Sequence, residues 1–331
     1  MALVLPCVKG TKINKLGKDH FFGGIFMKIL HIGDVAGVSV EISKAQRKLG
    51  HKSDVLSYKR HPFGYKTDFY YPINSKFPYN HIQMFLFFLK FVGKYDVYHF
   101  HGGSLLPKGI DSILWKIFKK KLIIHHHGSE LRYKGENYIY SKFADKILVS
   151  TPDLLEWSPN GIWLPNPVDT EEYELIEPNS QPHKLRILHA PSSREIKGTE
   201  FVILAINKLI KDGYDIEFVL LENVSHDEVL KQIKLSDIIV DQFILGWYGM
   251  FSLEAMCMKK PVLCYIREDL AEKYKNLPIL NTKPEFVYDN LTKLIENKEL
   301  RLELGIIGQK YIENVHESKK LAEKLIELYS N

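Results

Sequence analysis

Met27-Lys28-Ile29-Leu30-His31-Ile32-Gly33 is an apolar run of strand length that ends on a glycine. Asp34-Val35-Ala36-Gly37 follows as a turn, and a helical pattern then continues to about Leu49. Strand, glycine-bearing turn and helix in this order form the opening unit of an α/β domain. The unit repeats. Val55-Leu56 closes a second strand, and residues 57–80 form a loop region rich in Tyr, Lys, Pro and Phe. Helices are predicted over 82–93 and 109–118, with strands at Val97–His101, Leu122–His126, Lys146–Val149 and Ile162–Leu164.

The acidic, proline-bearing segment 170–183 reads as a linker. The alternation then restarts, with strands at 185–189, 216–221, 237–240 and 261–265. Helices are predicted between them over 198–211, 226–234 and 250–258, and the chain is helical from about 285. Ser225 and Glu228 have capping-box spacing, which marks a helix start. In the last stretch Leu321, Ala322, Leu325, Ile326 and Tyr329 share one face, so a closing helix must pack on something, and the first domain is the candidate. The expected organisation is an extension over 1–26, an α/β domain over 27–169, the linker, a second α/β domain over 184–310, and a C-terminal helix over 311–331.

Composition narrows the function. A length of 331 residues exceeds a single core, and 45% hydrophobic with 26% charged residues is ordinary for a globular enzyme. A formal net charge of +5 suits anionic substrates but is far from a nucleic-acid signature, so no nucleic-acid partner is expected. The three cysteines, at 7, 257 and 264, build neither a disulfide framework nor a zinc motif, which points to a reducing cytoplasm. Gly33-Asp34-Val35-Ala36-Gly37 lacks the glycine spacing of a dinucleotide fingerprint, which argues against a dehydrogenase.

Ligands of open α/β sheets bind beyond the carboxyl ends of the strands. Two loops of the second half fall there. In Leu188-His189-Ala190-Pro191-Ser192-Ser193-Arg194-Glu195-Ile196-Lys197-Gly198, Arg194 and Lys197 stand beside a helix start and suit a diphosphate. In the run from Asp241 to Met256, Gly246 and Gly249 let a ligand approach the backbone, and Met250 and Phe251 begin a helix with free N–H groups. Glu254, one turn inside that helix, could accept from ribose hydroxyls.

Glu254-Ala255-Met256 followed by Pro261-Val262 resembles the C-terminal signature of retaining glycosyltransferase family 4. Lys197-Gly198, His127-Gly128, Asp96-Val97-Tyr98-His99 and Pro165-Asn166-Pro167-Val168-Asp169 fall in the order of that family's landmarks. The resemblance implies a GT-B fold, in which two Rossmann-like domains enclose a deep cleft and the C-terminal helix packs back on the first domain. It implies a hexosyltransferase-type enzyme that moves a sugar from a nucleotide-diphosphate sugar to a glycan, lipid-linked or small-molecule acceptor, with retention. It assigns the ribose to Glu254, the diphosphate to Arg194 and Lys197, the neighbourhood of the donor sugar to His127, and the acceptor or reacting phosphate to the Gly33–Gly37 loop. It implies no metal and no cofactor beyond the donor. Two positions depart from the pattern: Gly246 stands where the family commonly has a first glutamate, and Ser192 where its arginine lies. Asp241 or the backbone of the Gly246–Gly249 loop is left to replace that glutamate.

His99, His101 and His125-His126-His127 end neighbouring strands, yet no carboxylate stands at recognised ligand spacing, so no metal site is expected. Trp115 to Lys121, Lys59-Arg60 and the apolar 84–89 segment admit peripheral contact with the anionic inner face of a membrane. The competing functions are a sugar-nucleotide epimerase-like enzyme and a non-catalytic nucleotide-sugar-binding module.

Overall fold

The computed structural model describes residues 26–58, 64–72, 79–102, 109–136, 138–173 and 184–331. The expected extension up to residue 25, Lys59-Arg60 and the linker beyond Tyr173 lie outside the described residues.

The first domain runs β1 (Lys28–Ile32), α1 (Val38–Lys48), β2 (Lys52–Ser57), β3 (Phe69–Tyr70), α2 (Tyr79–Phe91), β4 (Val97–His101), α3 (Ile110–Ile117) and β5 (Lys121–His126). It continues with α4 (Ser129–Lys134), α5 (Tyr138–Phe143), β6 (Lys146–Val149) and β7 (Ile162–Trp163). The second domain runs β8 (Leu185–His189), α6 (Arg194–Lys197), α7 (Thr199–Lys211), β9 (Ile216–Leu220), α8 (His226–Leu235), β10 (Ile238–Val240) and α9 (Met250–Cys257). It ends with β11 (Val262–Cys264), α10 (Glu268–Lys273), β12 (Leu280–Asn281), α11 (Val287–Glu296) and α12 (Lys298–Val315), after which α13 (Ser318–Ser330) closes the chain.

Both sheets are parallel. Their orders are β3-β2-β1-β4-β5-β6-β7 and β12-β11-β10-β8-β9. The order reverses between β1 and β4 in one sheet and between β8 and β10 in the other, and ligands of such sheets bind at these switch points. The fold is therefore the expected pair of Rossmann-like domains, with a cleft lined from both sides.

Strand alternation decides what each face of the first sheet carries. Leu30, Ile32, Tyr98, Phe100 and Leu122 pack on Phe87, Phe88 and Trp115 of α2 and α3. On the other face Ile29, Val97 and Ile123 meet Val38 and Ile42 of α1 and Leu321, Leu325 and Tyr329 of α13. The stripe of α13 thus buries against the first domain, as its periodicity implied. The last turn is tied down further, since Tyr329 lies within hydrogen-bond distance of His99 Nδ1 (2.6 Å) and Gln46 Nε2 (3.4 Å). The return crossing runs beside the outgoing one. Val168 N–H donates to His316 O, and Ser318 N–H donates to Val168 O.

Trp115 and Phe88, inside the stretches considered for membrane contact, are core residues. Ile82, Phe85, Leu86 and Leu89 of α2, with Ile117 and Phe118 after it, remain exposed. No helix among the described residues is long and apolar enough to cross a membrane.

Candidate active site

The carboxyl ends of β8 and β10 carry the loops singled out in the sequence. Asp241 follows β10 and is fully buried. Its Oδ1 takes a hydrogen bond from Lys197 Nζ at 2.5 Å, while its Oδ2 accepts from Gly249 N–H (3.1 Å) and Ser252 Oγ (2.6 Å). One carboxylate therefore fixes both the cation and the entry to α9. Burial pushes the Asp241 carboxyl up, but the Lys197 charge and these hydrogen bonds outweigh it and hold it below its ordinary value. Lys197, at the end of the short α6, has only 14% of its side chain exposed, and that fraction faces the cleft.

The first-turn N–H groups of α9 have no acceptor within their own helix, and Gly249, Met250 and Phe251 line the cavity there. Glu254 sits one turn in, buried, with Oε1 at 2.7 Å from His226 Nε2. Burial lowers the His226 imidazole, but the bond and charge of Glu254 override it and raise it above its ordinary value. The His226 ring in turn lies on Tyr65 of the first domain, with centroids 4.7 Å apart. Tyr65 also covers Gly37, where a side chain's first carbon would stand 2.4 Å from its ring, at a backbone φ of +78° that itself favours glycine.

Four expected residues do not line this cavity: Gly33 and Gly37 line adjoining ones, and Arg194 and Gly246 lie elsewhere. Arg194 projects the other way, and its guanidinium binds Glu222 through two bonds (2.9 and 2.7 Å) and Glu200 through a third (3.1 Å). Gly246 is buried at φ +77° against Arg267, whose N–H donates to its carbonyl, and it does not line the cavity. A side chain there would begin 2.9 Å from Arg267 Cβ. The loop turns there through a left-handed residue, which favours glycine.

The first domain contributes Val35 and Ala36 of the Gly33–Gly37 loop, His127 and Arg132. Asp34 fixes that loop by accepting from Gly37 N–H and from the N–H and hydroxyl of Ser39. Arg132, held by Asp153 at 2.6 and 2.9 Å, is a cation on the cleft wall that single-residue reading passed over. His127 is half-buried at the end of β5. Both its ring nitrogens are engaged, Nε2 at 2.9 Å from His101 Nδ1 and Nδ1 at 2.6 Å from Ser150 Oγ. Burial lowers its pKa to about 4, so the ring is neutral at physiological pH.

By sequence, no protein-family model and no curated protein matches the chain. Solved structures do match. HepE (Alr3699) of Anabaena, in complex with UDP-glucose, superposes with a TM-score of 0.70 at 13% identity, covering 92% of this chain and 99% of that one. An alpha-glucosyltransferase in complex with UDP and a 13-mer DNA gives a TM-score of 0.67 at 12% identity, covering 92% and 100%. The fold is GT-B. The GT-B arrangement also extends to a protein of Listeria monocytogenes provisionally named as a UDP-N-acetylglucosamine 2-epimerase, with a TM-score of 0.60 at 14% identity over 91% and 95% of the chains.

Proposed function

We propose that the chain is a glycosyltransferase that binds a nucleoside-diphosphate sugar in its cleft and transfers the sugar with retention, as members of family 4 do. One observation carries the reading. The Lys197 ammonium, the first turn of α9 and the Glu254 carboxylate follow one another along a single wall of the cleft. That sequence of a cation, free N–H groups and a carboxylate matches a diphosphate followed by a ribose. The binding of UDP-glucose by HepE and of UDP by the alpha-glucosyltransferase supports it.

In this reading the bond between the anomeric carbon and the diphosphate oxygen breaks, and a bond to an acceptor oxygen forms on the same face. The acceptor proton passes to the leaving phosphate. Lys197, oriented by Asp241, and the α9 N–H groups stabilise the leaving charge, so no metal is required at the diphosphate. Asp241, buried and off the cavity wall, acts only through Lys197 and the entry to α9 and does not replace a first glutamate. Arg132 is the second cation facing the cleft, and Arg194 is not used. The acceptor enters beside the Gly33–Gly37 loop, where a cavity lined by Gly33, Asp34, Tyr58 and Thr67 opens. A lipid-linked acceptor suits the exposed apolar face of α2, which would rest on the inner face of the membrane.

Thermal stabilisation by nucleoside diphosphates and their sugars, with chelator present, tests the reading. Stabilisation by one base, lost in Glu254→Ala and Lys197→Met, supports it, and incubation with that nucleotide sugar should release the nucleoside diphosphate. No response to any nucleotide sugar, or conversion to an epimeric nucleotide sugar, would overturn it.

A further inference from the structure

Parallel pairing puts five histidines on one face of the first sheet. His31 is registered with His99, and His101 with His125, while His127 follows at the end of β5. All of them except the half-buried His127 are fully or nearly fully buried, where a parallel sheet ordinarily carries Val, Ile or Leu. Gln46 Oε1 lies 2.9 Å from His31 Nε2, His31 Nδ1 lies 3.0 Å from His101 Nε2, and His101 Nδ1 lies 2.9 Å from His127 Nε2. The amide oxygen can only accept, so each imidazole in this chain carries its proton on Nε2. His125 Nε2 meets Ser150 Oγ at 3.2 Å, whereas its Nδ1 is buried without a hydrogen-bond partner. A polar atom of a wholly buried ring normally has one.

We propose that His101, His125 and His127 form a three-histidine site for a divalent transition metal of the zinc class. One ring nitrogen from each lies within 4.8 Å of the other two. Tetrahedral zinc at about 2.0–2.1 Å from each nitrogen needs them roughly 3.3 Å apart, so binding would require the rings to adjust. His101 Nδ1 and His127 Nε2 stand at 2.9 Å, a little inside that spacing.

The surrounding groups fit a metal as well. His101 would keep donating its Nε2–H to His31, itself anchored on Gln46, the outer support that orients a ligating histidine. His127 would shift its proton from Nε2 to Nδ1 and donate it to Ser150 Oγ, so binding releases no proton. Three imidazoles leave a fourth position, and a cavity lined by His101, His127, Asp34 and Glu130 adjoins the cluster. The site shares His127 with the wall of the cleft but uses neither Lys197 nor α9, and its test reads metal binding, so its failure is distinguishable from failure of the transferase reading.

The test uses the full chain without a histidine tag, stripped with chelator and titrated with Co²⁺ and Zn²⁺ at neutral pH. We expect one equivalent, the visible bands of tetrahedral Co²⁺, and zinc-edge X-ray absorption showing three imidazole nitrogens at about 2.0 Å. His125→Asn should weaken binding by roughly a hundredfold or more, and His99→Asn, equally buried, should retain it. The spectra need no variant, so the proposal stays decidable if His125→Asn does not fold. Absence of binding, oxygen-only ligation as at Glu41, Asp169 and Glu172, or loss in His99→Asn with retention in His125→Asn would each overturn it.

Discussion

Replacing Asp241 by Asn removes one charge and almost no volume from the centre of the second domain. Its carboxylate is wholly buried and the Lys197 side chain is 14% exposed, so the variant leaves an ammonium with no carboxylate and little water. The new amide also has one donor end, which must point either at Lys197 or at the Gly249 N–H and Ser252 hydroxyl that Asp241 now accepts from. Breaking a buried pair by deleting one partner costs about 3–5 kcal/mol, and the residual exposure of Lys197 toward the cleft favours the lower end, about 3 kcal/mol. For a domain of this size that lowers the thermal midpoint by about 9 °C.

The assay is urea and thermal unfolding of wild type, Asp241→Asn, Lys197→Met and the double variant, all without nucleotide. The double variant leaves neither charge orphaned, so its loss should fall about 2–3 kcal/mol short of the sum of the singles. The folded-state carboxyl of Asp241 titrates below its unfolded value of about 3.9, so its stabilisation is complete above that value. It is lost as the pH falls through the lower, folded one, and wild type and Asp241→Asn should therefore converge in acid. Additive losses, or an Asp241→Asn midpoint within about 1 °C of wild type, would refute the reasoning.

Arg194→Ala should leave the nucleotide-induced thermal shift intact while Lys197→Met abolishes it, because only Lys197 lines the cleft; equal losses would put Arg194 back at the diphosphate. Gly246→Glu, which introduces the glutamate that family 4 commonly carries at the resembling position, should cost about 1–3 kcal/mol through its φ of +77° and the approach to Arg267, and should not improve nucleotide binding. A tighter-binding, equally stable variant would contradict this. The His226 pKa is raised in the fold, so the His226–Glu254 pair contributes fully below about pH 6.5 and loses its contribution as the pH rises through the folded value. Between pH 6 and 9 wild type should lose thermal stability relative to His226→Gln; parallel curves would show that the pair is not charged.

Periodicity and turn chemistry carried the architecture a long way. Strand-length apolar runs alternating with helical patterns, interrupted near 170–183, are local properties, and the parallel sheets follow from them. So does the burial of the α13 stripe against the first domain, since a stripe of Leu321, Leu325 and Tyr329 has to meet an apolar partner. Glu254 was legible because its distance from Gly249 along a helix fixes its place behind the first turn. The directions of long side chains were not legible. Arg194 and Lys197 belong to one four-residue helix, yet the first answers to Glu222 and Glu200 and the second to Asp241, 44 residues away.

The same limit governs everything that depends on two elements meeting. The contact of Tyr65 with His226 spans two domains, and the left-handed turn at Gly246 is packed against a helix start that follows β11. The meeting of His99 and His101 with the His125–His127 run was foreseeable from neighbouring strand ends, but the place of His31 beside them was not, because only the register of β1, β4 and β5 decides which rings touch. The sequence by itself determined the order of elements, the two domains and the loops at the strand ends, since backbone propensity and hydrophobic period act over a few residues. Tertiary structure alone decided which cation meets the cleft and which imidazoles touch, since a side chain's partner is chosen by charge and packing among residues far apart in the chain.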